Sequence, residues 1–225
     1  MLNIWARSRP KEGSPTKDKI KIPESAIRRL SLYFHHLASL KELGVVTISS
    51  KEIASVYGLE PFQIRKDLSY FGAFGRRGRG YSVNRLLEKL GSILGLDRSW
   101  NMCLVGAGNI GLAMYRYQDF KQRGFNIVAV FDSDPKKAGQ TLKPGMTIQL
   151  MDQIEQTVSR QKIQIGIIAV PPQAAQAAVD RLASAGVKAI LFFPSSQVSV
   201  PKGTALRRVN LGLDLEFLSY ALTNN

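Results

Sequence analysis

Three glycines, Gly106, Gly108 and Gly111, stand in the stretch CLVGAGNIG at the spacing G-x-G-x-x-G. The spacing alone is a weak signal. Here it follows an apolar run and opens a helical one, which is the setting the chemistry requires. The first glycine makes a tight turn, the second lets the backbone approach a pyrophosphate, and the third lets helix and strand pack closely. The intervening Ala107, Asn109 and Ile110 complete the turn, whose amides at the helix start face the phosphates. Asp132 ends the next apolar run, 21 residues after Gly111. A carboxylate there accepts hydrogen bonds from an adenine ribose and repels a 2′-phosphate, so the cofactor expected is NAD(H) rather than NADP(H).

The residues that would react such a cofactor are missing. Hydride transfer asks for a group that gives or takes the substrate proton. The only histidines are His35 and His36, far from the glycine turn in sequence. Tyr115 and Tyr117 sit at helical spacing that suits packing or cofactor contact. Cys103, the single cysteine, lies in an apolar run where a small buried thiol is expected. One cysteine allows no intramolecular disulfide and no cysteine-rich zinc site. The expectation is no catalytic residue, no metal and no enzyme.

The elements that must position the glycine turn alternate along the second half. Apolar runs NMCLV, FNIVAVF, MTIQL, IQIGIIAV and KAILFF are separated by helical segments such as PQAAQAAVDRLASAG, and ALRRVN adds a last strand. Strands alternating with helices imply a doubly wound parallel sheet, Rossmann-like, over residues 99–208. LDLEFLSYAL closes the chain as an apolar helix within 209–225.

The first half reads differently. Residues 1–22, rich in Lys, Arg, Ser and Pro, read as a flexible basic arm. Pro23 opens a helix with Ile27, Leu30, Phe34 and Leu37 on one stripe, ending at Gly44. Ser49 and Glu52 form a capping box for a second helix that stops at Gly58, and Pro61 starts a third that runs to about Tyr70. Two short helices joined by a glycine turn form a helix-turn-helix. On the third, Ile64, Leu68 and Phe71 would pack inward and leave Gln63, Arg65, Lys66, Ser69 and Tyr70 for base edges and phosphates. FGAFGRRGRGYSV then places Arg76, Arg77 and Arg79 in a glycine-rich hairpin, and a helix of Leu86, Leu87, Leu90, Ile93 and Leu94 ends near Asp97. A helix-turn-helix followed by a basic hairpin is a winged helix, here over residues 23–98.

Charge and composition fit this division. The chain has 225 residues and net charge +14; residues 1–99 hold 18 Lys and Arg against 9 Asp and Glu, a net +9. A basic bias of that size points to nucleic acid or an anionic surface. No apolar run approaches the roughly 20 residues of a membrane span, and the N-terminus lacks the apolar region of a signal peptide, so a cytoplasmic location is expected. The chain is read as holding a dinucleotide without reacting it and coupling its binding to DNA. Two alternatives stay open: an NAD-dependent oxidoreductase with a fused DNA-binding domain, and a repressor gated by a CoA derivative or another adenine nucleotide.

IPESAIRRLSLYF, IRKDLSYFGAFGRRGRGYSV, LVGAGNIG and FDSDPKKAG, in this order, resemble the Rex family of redox-sensing transcriptional repressors. The resemblance runs from about Ile22 to the end, with RKDLSYFG its most specific block. It implies a homodimer with an exchanged C-terminal helix, an inverted-repeat operator in double-stranded DNA, and release of that operator when NADH binds. It also implies a switch built from Arg29, Tyr117 and the residue at 210. Two places depart from the family pattern. After the fifth strand the family usually reads Asn-Phe-Ala/Thr-Pro, where this chain has Phe192, Phe193, Pro194 and Ser195; and Asn210 stands where the family usually has an aspartate.

Overall fold

The structure, a computed structural model, describes residues 22–72, 74 and 79–224. The expected arm up to residue 21, with Arg76 and Arg77 of the hairpin, lies outside the described residues. The chain divides into two compact units between Asp97 and Arg98.

The first unit opens with α1 (Glu24–Glu42), which Pro23 precedes in extended conformation. A short strand β1 (Thr47–Ile48) leads into α2 (Ser50–Tyr57). The capping box is present: the Ser49 Oγ accepts from the Glu52 amide at 3.1 Å, and the Glu52 carboxylate accepts from the Ser49 amide at 2.7 Å. Gly58 ends α2 at φ +61°, a left-handed value that favours glycine. Pro61 then occupies the first turn of α3 (Pro61–Ser69), where its missing N–H costs nothing. Strand β2 (Tyr81–Ser82) pairs antiparallel with β1, so the strand before α2 closes the base of the wing. The last helix, α4 (Val83–Leu94), packs Leu86 and Leu90 into a core with Leu30, Tyr33, Leu37, Ile53, Ile64 and Leu68.

The α1 stripe differs from the expected one. Its buried residues are Ala26, Leu30, Tyr33 and Leu37, while Ile27 is 45% exposed and Phe34 only half-buried. The reason is polar. Tyr33 goes deeper than a tyrosine usually can because its hydroxyl finds a buried acceptor, the Asp67 carboxylate at 2.9 Å.

The second unit is a seven-stranded sheet. Strands β3 (Trp100–Val105), β4 (Phe125–Asp132), β6 (Met146–Leu150), β7 (Ile165–Ile168), β8 (Ala189–Phe192) and β9 (Ala205–Arg208) run parallel in the order β6-β4-β3-β7-β8-β9. A short β5 (Thr141–Lys143) adds an antiparallel edge that the sequence reading did not anticipate. Successive residues of β3 bury themselves on opposite faces. Cys103 and Val105 pack with residues of α7 (Ile154–Gln161) and α8 (Ala175–Ser184). Met102 and Leu104 pack on the other face with Leu112 and Tyr115 of α5 (Asn109–Arg116) and Phe120 of α6 (Gln118–Gln122). A strand covered on both sides reads as a continuous apolar run, which is why NMCLV carries no alternation. The Cys103 thiol is pushed up to about 12 by burial, the state of a structural rather than a reactive cysteine.

The chain closes with α9 (Leu211–Asn224), whose apolar side chains are largely exposed. Leu211, Leu213, Leu215, Phe217, Leu218, Tyr220 and Leu222 are 55–86% exposed. No helix among the described residues is long and apolar enough to cross a membrane.

The fold makes Asp67 the most sensitive polar position of the first unit. It has no exposed surface, and Arg29 beside it keeps 23%. Asp67→Ala leaves the part-buried Arg29 guanidinium, the buried Tyr33 hydroxyl and the Gln63 amide without their shared acceptor and is expected to cost about 3 kcal/mol, read by urea unfolding. Burial works to raise this carboxyl, but hydrogen bonds from Arg29, Tyr33 and Gln63 outweigh it and hold the group below its ordinary 3.8. The stabilisation is therefore complete above that value. It is expected to disappear as pH falls through the lower folded value, an acid limb absent from Asp67→Ala.

Candidate functional site

The order of the parallel strands reverses between β3 and β7, so a crevice opens beyond their carboxyl ends. The glycine turn lies in it. Gly106 holds φ +101°, and a side chain there would come within 2.5 Å of the Ala169 carbonyl oxygen just beyond the neighbouring strand β7. A side chain at Gly111 would overlap the Gly106 carbonyl oxygen. Gly108 is different: its backbone is ordinary and nothing of the protein stands within 4 Å of the position a Cβ would take. The chain itself has no use for a glycine at 108. The space in front of it is open to a ligand, and α5 starts there, its Leu112 amide donating to the Gly108 carbonyl at 2.8 Å. Ala107 is buried, whereas Asn109 and Ile110 are exposed at the helix start.

This turn walls a cavity of about 440 Å³ with Asp132, Lys137, Val170 and Arg181, a size suited to a cofactor. Two larger hollows, of about 810 and 860 Å³, lie away from the turn and lack its backbone donors. The Asp132 carboxylate accepts from the Ala107 amide (2.8 Å), the Lys137 Nζ (2.9 Å) and the Asp134 amide (2.9 Å). Burial raises this carboxyl less than the Asp134 amide, Lys137 and the Ala107 amide together lower it, and it stays ionised below the ordinary value. A carboxylate offers about four acceptor positions. Three are taken from within the chain, which leaves room for one ribose hydroxyl rather than two. Lys137 also offsets part of the negative charge expected to repel a 2′-phosphate.

On the first unit, α3 presents Arg65, Lys66 and Ser69 to solvent. Arg65 donates to the Ser50 Oγ at 3.1 Å, and the Ser69 hydroxyl turns back to the Lys66 carbonyl at 2.7 Å. Gln63 and Tyr70 are half-buried, and Arg79 is exposed just before β2. The residue that the sequence reading passed over is Asp67. It accepts from Arg29 through Nε (2.6 Å) and Nη2 (2.7 Å), from the Tyr33 hydroxyl, and from Gln63 Nε2 (2.7 Å). A signal existed: a carboxylate beside Arg65 and Lys66 on a helix meant for phosphates has to turn inward and be paired.

The three residues for which the resemblance implies a switch have partners in their own units. Arg29 is engaged with Asp67; Tyr117 is 51% exposed with its ring 5.1 Å from Phe120; the Asn210 Oδ1 accepts from the Gly212 amide at 3.0 Å. Phe192 is fully buried at the end of β8, with the Arg208 guanidinium 4.9 Å above its ring. His35 and His36 lie on α1. No group of His, Cys, Asp and Glu able to hold a metal occurs among the described residues.

A winged helix followed by a dinucleotide-type sheet defines a ligand-responsive transcription regulator. Comparison with known proteins narrows the class. Residues 97–196 match a family model described as "CoA binding domain", and residues 21–69 one described as "Putative DNA-binding protein N-terminus". A redox-sensing transcriptional repressor Rex from Desulfitobacterium hafniense is 48% identical over 201 residues, 89% of this chain and 95% of that protein. The solved structure of RSP with β-NAD⁺ and operator DNA matches at TM-score 0.84 and 38% identity, covering 89% of this chain and 92% of that one. RSP with β-NADH matches at 0.80 and 37%, covering 90% and 94%. The chain belongs to the Rex family of redox-sensing transcriptional repressors. It is a regulator and not an enzyme.

The glycine geometry separates folding from binding. Gly111→Ala is expected to cost roughly 2 kcal/mol or more through the overlap with Gly106. Gly108→Ala should leave thermal unfolding unchanged and still weaken dinucleotide binding in a titration. A loss of stability at 108 as large as that at 111 would remove the case for an open ligand surface.

Proposed function

We propose that the protein is a cytoplasmic homodimer that represses transcription from an inverted-repeat operator and releases it when NADH binds. The observation that carries this reading is the open face of Gly108 beside an ionised Asp132, in a chain whose relative RSP has been solved with β-NADH and, separately, with β-NAD⁺ and operator DNA. Gly106, Ala107, Gly108, Asn109, Ile110, Gly111 and Asp132 hold the cofactor. Gln63, Arg65, Lys66, Ser69, Tyr70, Arg76, Arg77 and Arg79 contact DNA. Residues 23–98 form the DNA-reading domain and 99–208 the cofactor domain. The exposed apolar helix α9 completes the dimer by exchange, since a helix of this composition needs cover. A two-fold dimer presents two α3 helices symmetrically, so its site mirrors that symmetry.

Operator binding measured at one fixed salt concentration, with NADH, with NAD⁺ and with neither, tests this. Affinity is expected to fall with NADH and to persist with NAD⁺; equal affinity in all three overturns the redox reading. The match to a CoA-binding family model favours one other ligand class. Competition by a CoA derivative against NADH decides between them.

Asn210 sets the strength of the response. In the switch that the family resemblance implies, Arg29 has to leave two hydrogen bonds to Asp67. An aspartate at 210 would offer it a charge-assisted bond, whereas Asn210 offers a neutral one. That difference is on the order of 1 kcal/mol, about five-fold in a two-state equilibrium. Asn210→Asp is expected to raise the ratio of operator affinities without and with NADH by about that factor, and to change the NADH affinity of the free protein less.

A further inference from the structure

Gln63 is the third residue of α3, and recognition helices contact base edges with their N-terminal residues. Its side-chain amide is not free to choose an orientation. Nε2 lies 2.7 Å from Asp67 Oδ1. Arg29 Nη2 shares that oxygen, while Arg29 Nε and the Tyr33 hydroxyl take Oδ2. All of the roughly four acceptor positions of the carboxylate are thus filled. An ionised carboxylate only accepts. Turning the Gln63 amide over would set two oxygens against each other at hydrogen-bond distance, so the network assigns the nitrogen to Asp67.

One Nε2 hydrogen therefore serves Asp67. Repulsion between the carboxylate and Oε1 favours the hydrogen that points away from Oε1. The other Nε2 hydrogen and Oε1 remain side by side, a donor next to an acceptor. That edge complements adenine in the major groove, where N7 accepts and N6 donates. Gln63 is half-buried, held by Asp67 and still partly exposed. Asp67 itself has no exposed surface and no acceptor left for a base. We infer that Gln63, with its amide held in one orientation by Asp67, reads an adenine in each operator half-site. Asp67 acts through Gln63 as a positioning residue. The inference rests on the proposal that α3 enters the major groove.

The test uses the full chain and a duplex library with randomised half-sites, followed by binding titrations at fixed salt. The wild type is expected to select adenine at one position per half-site. Gln63→Met should lose that preference, roughly ten-fold or more, and keep the preferences at other positions. Replacing the selected adenine by 7-deazaadenine, which lacks the N7 acceptor, should weaken the wild type and leave Gln63→Met unaffected. Asp67→Asn, in preparations shown by circular dichroism to be folded, should relax the same position more than any other, since an asparagine can face either orientation of the amide. The inference is overturned if Gln63→Met selects the wild-type sequence, if 7-deazaadenine is without effect, or if folded Asp67→Asn keeps the full adenine preference. A wild type that binds no duplex at all overturns the DNA-binding reading, and this assignment with it.

Discussion

Burying the Asp67 carboxylate carries a desolvation cost of several kcal/mol that only a full set of donors offsets. The first unit supplies that set from two helices: Arg29 and Tyr33 from α1, Gln63 from α3 itself. The consequence is mechanical. Apolar contacts between helices tolerate small slides, because dispersion has no preferred direction. The three hydrogen bonds that reach this carboxylate from α1 do not, because each weakens steeply with angle. Asp67 therefore fixes where α3 sits against α1, and with it the direction in which Arg65 and Lys66 project. It also removes a negative charge from the helix face that has to approach phosphates, without giving up the residue.

The second unit uses the same device for a different end. Asp132 closes β4, and its bond from the Ala107 amide ties that strand to the glycine turn after β3. The Gly106 amide donating to the Phe131 carbonyl at 2.8 Å makes a second tie to the same strand end. The turn is thus held from β4, while its Gly106 lies close against Ala169, the residue that follows β7. With its position set this way, the helix start at Asn109 presents its amides without having to be organised by the ligand. Asp132 is less saturated than Asp67: three donors reach it from within the chain against four for Asp67, which leaves one acceptor position open.

How far these features could be read in the sequence follows from the range of the forces involved. The Ser49–Glu52 box, Pro61 in the first turn and the Gly58 stop are local, set within a few residues, and each is found where the residue types put it. The strands of the parallel sheet were legible because burial on both faces leaves unbroken apolar runs. The α1 stripe was misplaced by one position because Tyr33 is drawn in by Asp67, 34 residues away, and no periodicity carries that information. Strands β1 and β2 are two residues each and exist only as a pair across the wing. Lys137 was hidden for a related reason: a lysine among surface lysines is ordinary until the chain turns it toward Asp132. The apolarity of α9 was plain, whereas its exposure was not.

Under the proposed reading the dinucleotide is bound and returned unchanged, which limits what its binding energy can accomplish. The second unit contains no histidine, and its one thiol is buried and held protonated. A ligand that is not consumed acts only through a difference in affinity between two states of its host, and it shifts their ratio by no more than that difference. A ligand that favours one state 100-fold moves an even balance to about 99:1, while equal affinity moves nothing however tight the binding. The tightness of the glycine turn is thus not what sets the response. The response is set where the two states differ, and the contacts that hold the DNA-reading state together weigh as much in that balance as those to the cofactor. Each hydrogen bond that Asp67 makes to Arg29 stabilises the arrangement that contains it against any in which Arg29 is bound elsewhere, and under the proposed reading that arrangement is the DNA-reading one. A chain with a full complement of donors on Asp67 and a neutral Asn210 is, on this accounting, biased toward holding its operator.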